Sequence, residues 1–124
     1  MDGSVGARNA RLRAYVSERE QYEDRPLYVA LVEVARTSGA AGATVIRGLL
    51  GFGASSREVA DYDLRMSEDL PVVVEVVDER HKIEALAEVF DAMIAAGMVT
   101  VEDVTVLAYK GAASGRAEDA KDMS

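Results

Sequence analysis

From Arg11 the chain alternates. Leu12, Ala14 and Val16 fall on one side of an extended backbone and Arg11, Arg13 and Tyr15 on the other, which predicts a strand over 11–17. The period then lengthens: Leu27, Ala30, Leu31, Val34 and Ala35 recur at helical spacing. Pro26 suits the first turn of that helix and Gly39 its C′ position. A β-branched run, "ATVIRGLL" (43–50), predicts a second strand, and the valines of "LPVVVEVV" (70–77) a third. Asp78 is a candidate cap for a second helix, in which Ile83, Leu86, Ala87, Phe90, Met93 and Ile94 share one face and which Gly97 ends. The alternation of "DVTVLAY" (103–109) predicts the last strand.

The order is therefore β-α-β-β-α-β. An α+β, ferredoxin-like sandwich accommodates it, with a four-stranded antiparallel sheet and two helices on one face. The predicted domain spans 10–110, between a flexible N-terminal segment (1–9) and a flexible C-terminal tail (111–124), both small and polar in composition. Two helices cover only one sheet face, yet the strands are apolar on both: Val72, Val74 and Val76 against Val73 and Val77, and Leu107 and Tyr109 against Val106 and Ala108. An antiparallel face in water should be polar, so the second face is expected to meet other subunits, with Arg13 and Glu75 as partners there.

Composition narrows the function classes. The formal charge of −8 opposes general nucleic-acid or anionic-membrane binding, which needs a basic face. No cysteine is present, which removes disulfides, thiolate metal sites and cysteine nucleophiles. No apolar run approaches the roughly 18 residues of a membrane span, so neither membrane insertion nor a leader is expected, and the expected location is cytoplasmic. His81, the sole histidine, stands near Asp78, Glu79 and Glu84, but an exposed first-turn histidine is far commoner than a metal ligand, and no metal site is assigned. Ser55 and Ser56 have no assignable histidine base, and the chain is not expected to be an enzyme.

The stretch "GAAGATVIRGLLGFGASSRE" (39–58) places glycines on both sides of an apolar strand. Gly-Phe-Gly alone is ordinary turn chemistry. Followed by a polar loop and then "VVVEVVD", however, it resembles the PII signalling proteins, and most nearly a small bacterial PII-like family of unknown function, over Leu12 to Tyr109. The resemblance implies a homotrimer with an adenine nucleotide in clefts between subunits. It also implies a loop, here 54–69 and shorter than a PII T-loop, that controls a partner such as a membrane transporter or channel.

Residue by residue, Gly51, Phe52 and Gly53 match the glycine motif at the loop base. Thr44 matches a threonine whose hydroxyl reaches adenine, and Leu70 and Val72 are candidates for an apolar wall against the base. Ser55, Ser56 and Arg57 are candidate phosphate or loop contacts. Tyr62 invites comparison with a modified tyrosine, but "ADYDLR" does not reproduce that site. The strand reaches Gly-Phe-Gly one residue late, which predicts a bulge near Gly48. Where PII proteins carry a Gly-Asp-Gly-Lys-like turn and arginines on the last strand, this chain offers only Gly97 and Lys110, beside acidic Glu102 and Asp103. A triphosphate needs several donors. AMP, ADP or a cyclic adenine nucleotide is therefore expected over ATP–Mg, with no cofactor required. The alternative is a ligand-independent or divalent-metal-binding trimeric ferredoxin-like assembly protein.

Overall fold

Strand β1 (Asn9–Ser17) is the centre of the architecture. The computed structural model describes residues 8–52 and 70–111. After β1 come a two-residue hairpin, β2 (Gln21–Tyr22) and β3 (Arg25–Pro26), then α1 (Leu27–Thr37) and β4 (Thr44–Arg47). Further on lie β5 (Pro71–Glu79), α2 (Arg80–Met93) and β6 (Met98–Val104). The main sheet has the order β4-β5-β1-β6, antiparallel throughout, and both helices pack on one face of it. The expected α+β, ferredoxin-like fold is the observed one, with the hairpin as an addition.

Alternation built the sheet as predicted. Ala10, Leu12, Ala14 and Val16 of β1 and Val72, Val74 and Val76 of β5 are buried beneath the helices. Leu27, Ala30, Leu31 and Ala35 of α1 and Ile83, Leu86 and Phe90 of α2 close the layer from above. Val99 and Val101 of β6 pack at its margin.

Several local expectations are corrected. Pro26 sits one position before α1, as its N-cap, with no side-chain bond to the helix amides. Gly39 has φ of +90° and ends α1 as expected: its N–H donates to the Arg36 carbonyl at 3.1 Å and that of Ala40 to the Ala35 carbonyl at 3.1 Å, a Schellman closure. Asp78 does not cap α2. It is the penultimate residue of β5, fully buried, and Glu79 occupies the cap. Its carboxylate accepts the Ala41 N–H at 3.0 Å and the Glu79 N–H at 2.7 Å, tying the α1–β4 connection to the sheet. Gly97 does not terminate α2 directly; the helix stops at Met93, and Gly97 forms the turn into β6.

The last strand lies at 98–104, not 103–109. Glu102 and Asp103 fall inside it, and each has a cationic partner from elsewhere. Arg11, directly opposite in the ladder, bonds Glu102, and Arg80 Nη1 bonds Asp103 Oδ1 at 2.6 Å. Nor is there a bulge at Gly48. Pairing runs evenly from Thr44↔Glu75 to Arg47↔Val72, and the Gly48 N–H then donates to the Pro71 carbonyl at 2.8 Å. Pro71 has no N–H to return, so the ladder ends there.

The face opposite the helices carries Arg11, Arg13 and Tyr15 of β1, Val73, Glu75 and Val77 of β5, Ile46 of β4 and Met98 of β6. Arg13 Nε donates to Glu75 Oε2 at 2.8 Å, and Arg11 Nε lies 3.9 Å from the same oxygen. The Glu75 bond holds the Arg13 guanidinium protonated, above its ordinary range. Apolar side chains flank this charge cluster on both sides, a texture suited to burial.

Candidate functional site

Four segments converge at one end of the sheet: the ends of β1 and β4 and the beginnings of β5 and β6. Here the chain leaves β1 through a turn in which the Glu18 N–H donates to the Leu70 carbonyl at 2.9 Å and the Ser17 hydroxyl accepts the Arg19 N–H at 3.0 Å. The Arg47 guanidinium pairs with the Glu18 carboxylate across this end, although 60% of the Arg47 side chain remains exposed.

The glycines beside β4 have a local cause. A Cβ built on Gly48 would stand 2.7 Å from Pro71 Cγ, and one on Gly51 3.1 Å from the same atom. Both glycines let the returning chain run over the proline ring. Phe52 follows with 67% of its surface exposed, and Leu49 and Leu50 are exposed as well. Backbone and aromatic surface are therefore presented together just before residue 53. A strand end of this kind leaves room for a flat ligand to lie against the main chain.

The other candidate residues are distributed as follows. Leu70 and Val72 are buried, and Val72, at 2% exposure, is part of the core rather than a wall open to a base. Thr44 is exposed at the far end of β4, opposite Glu75. Gly97 lies at the convergent end, but its missing side chain serves β1: a Cβ there would be 2.5 Å from the Tyr15 carbonyl. Lys110 is exposed six residues past Val104, the terminus of β6 at the opposite end. Gly53, Ser55, Ser56 and Arg57, with Tyr62, lie outside the described residues. Within the described residues, then, Gly51, Phe52, Leu70 and Gly97 share one end, and Thr44 and Lys110 are not beside them.

Sequence reading missed the Glu18–Arg47 pair and the part played by Pro71. A proline opening a strand, opposite a glycine, was the available signal for the second. His81 Nδ1 is 3.7 Å from Glu79 Oε1 on a largely exposed ring, and no group of three or more potential metal ligands occurs among the described residues. None of the described helices is long and apolar enough to cross a membrane.

The sheet order and the helix pair on one face define a ferredoxin-like fold of PII-like architecture. The chain belongs to the DUF190 family (Uncharacterized ACR, COG1993), whose profile matches residues 9–106. It is 39% identical over 97 residues to a UPF0166 protein of Aquifex aeolicus, covering 77% of this chain and 90% of that one. It is 32% identical over 102 residues to the UPF0166 protein MJ1524 of Methanocaldococcus jannaschii, covering 81% and 91%. Among solved structures it is similar to CPII from Thiomonas intermedia K12, described as bound to ADP and bicarbonate. The TM-score is 0.51 at 17% identity, over 80% of this chain and 88% of that one, a likeness of fold.

Proposed function

We propose that the protein is a PII-like regulatory homotrimer that senses an adenine nucleotide in clefts between subunits and controls a partner through segment 54–69. AMP, ADP or a cyclic nucleotide is preferred over ATP–Mg, and a membrane transporter or channel is a candidate partner. The observation that carries this reading is the strand end at Gly48–Phe52, where two glycines, an exposed phenylalanine and Arg47 lead directly into that segment. The ADP bound to CPII, the similar protein of Thiomonas intermedia, supports the ligand class.

The mechanism is a population shift. Nucleotide orders the base of the loop at Gly51 to Gly53, and the conformation of the loop decides whether the partner is bound. Charge argues for a ligand of few phosphates. Arg47 and Arg19 are described cations near this end of the sheet, and Glu18 already neutralises part of Arg47. A triphosphate would stand against that carboxylate with too few donors. The open sheet face, whose half-buried valines surround Arg13 and Glu75, supports assembly with further copies.

The test is thermal unfolding with AMP, ADP, ATP–Mg, cyclic AMP, cyclic di-AMP and GDP in turn. A ligand at about 100 times its Kd adds roughly 2.7 kcal/mol, a rise in Tm of several degrees. A rise with one adenine nucleotide, lost in Gly53→Val, supports the reading. No rise with any of them removes nucleotide sensing while leaving the fold untouched.

A further inference from the structure

We infer that the helical layer holds a second ligand site, a cavity between the end of α1 and the first turns of α2 that takes a small apolar carboxylate. The site goes beyond the nucleotide reading and lies away from Gly48–Phe52. Asp78, which lines it, is near the end of β5, whereas Gly48 and Gly51 stand over Pro71 at the start of that strand.

The space comes from where α1 stops. It ends at Thr37, and Gly39 turns the chain away toward β4, so that beyond Val34 the first turns of α2 face the small residues Ser38 and Ala40. The cavity left there has a volume of about 240 Å³, and Val34, Ala40, Ile83, Ala85, Leu86 and Val89 are its apolar lining. An apolar cavity of about 150 Å³ takes up benzene, so this one has room for a single ring or a short branched chain bearing one polar group. Val89 on its wall is 43% exposed, and such a body would cover it.

Charge at the rim sets the polar group. Lys82 is half-buried there, and among the described residues its side chain has neither an ion pair nor a hydrogen bond. It stands in the first turn of α2, the end of a helix that favours an anion, and Glu79 at the cap gives that end no side-chain bond. The neighbouring polar groups are engaged elsewhere. His81 Nδ1 faces Glu79 Oε1 at 3.7 Å, and the Ser38 hydroxyl donates to the Ala35 carbonyl at 2.9 Å. Asp78, the one carboxylate of the lining, is fully buried with one oxygen on the Ala41 amide and the other on that of Glu79, so it offers no bare oxygen to a cationic ligand. An apolar body with a carboxylate matches both features, hydrocarbon against the valines and alanines and the anion on Lys82.

The experiment is an NMR titration of the full chain with benzoate, benzyl alcohol and benzylamine, for the wild type, Lys82→Met and Ala85→Leu. Ala85 is exposed, and side chains on a helix lean toward its N-terminus, so a leucine there fills the cavity without entering the core. Benzoate should shift the amides of 38–40 and 81–89 saturably. It should bind about five- to tenfold more tightly than benzyl alcohol, and benzylamine should bind most weakly. Lys82→Met keeps the apolar stem, so benzoate should lose its advantage while benzyl alcohol binds as before. Ala85→Leu should weaken both, with amides remote from the cavity unchanged. No saturable shift at these amides, equal affinity of the wild type for benzoate and benzyl alcohol, or a Lys82→Met protein that keeps the preference overturns the inference. Each of these outcomes leaves the nucleotide reading standing, since that is tested at Gly53.

Discussion

Gly48 and Pro71 are fitted to one another: the glycine N–H donates to the proline carbonyl at 2.8 Å, and the proline Cγ occupies the space a Cβ on the glycine would need, 2.7 Å away. Gly48→Ala should therefore force the ring or β4 aside, at a cost of about 1–3 kcal/mol. Pro71→Ala removes the obstacle. In that background Gly48→Ala should cost less than about 1 kcal/mol, roughly the residual effect of a small substitution at an edge strand. Urea unfolding of the four proteins checks this, and additive effects would mean that the ring is not the reason for the glycine.

Gly97 presents a harder constraint. Its φ of +152° is unfavourable for other residues, and a Cβ would meet the Tyr15 carbonyl at 2.5 Å, a backbone atom held in the ladder between β5 and β6. Gly97→Ala should lower stability by about 2–4 kcal/mol, combining strain with overpacking. Gly42→Ala is the control, since nothing lies within 4 Å of its Cβ position. A scanning-calorimetry difference in Tm of several degrees between the two variants is expected. Equal values would show that the turn relaxes freely.

Asp78 is a buried brace rather than a helix cap. Asp78→Ala leaves the Ala41 and Glu79 amides without their acceptor and should cost about 1–3 kcal/mol. Asp78→Asn keeps the size and one acceptor oxygen and should cost less. If Asp78 acted as an ordinary exposed cap, Asp78→Ala would lose only about 1 kcal/mol and Asp78→Asn almost nothing, and hydrogen exchange at Ala41 would not change.

What could be read in advance follows from the range of the interactions involved. β1, β5 and both helices were legible because alternation and helical spacing are properties of neighbouring residues, as in Leu12–Ala14–Val16 or Ile83–Leu86–Phe90. β6 was misplaced because the alternation of 103–109 reads as a strand by itself, whereas the ladder is set by β1, opposite which Glu102 meets Arg11, and local pattern cannot see that. The glycines beside β4 suggested a ligand, whereas their immediate cause is Pro71, distant in sequence and adjacent in the sheet. At the candidate site, Gly51 and Phe52 are at the expected strand end, while Val72 belongs to the core because β5 turns its even-numbered side chains under the helices.

The hairpin between β1 and α1 shows a local rule left unoptimised, and it yields a stabilising prediction. Glu23 and Asp24 join β2 to β3 with φ of +50° and +71°, the two-residue turn that normally takes Asn-Gly. Neither Glu nor Asp favours that region, and a side chain there costs on the order of 1 kcal/mol. Part of that cost is offset by the Leu27 N–H donating to the Glu20 carbonyl at 2.8 Å and by Arg25 pairing with Glu33 of α1, which hold the hairpin against the helix. Glu23→Asn with Asp24→Gly supplies residues that adopt the turn readily. The double variant should gain about 0.5–1 kcal/mol, less than the strain removed because glycine also loosens the unfolded chain. An increase in urea midpoint with unchanged slope is the expected result. A decrease would mean that the two carboxylates contribute contacts beyond the turn, and would direct attention to that loop as a functional surface.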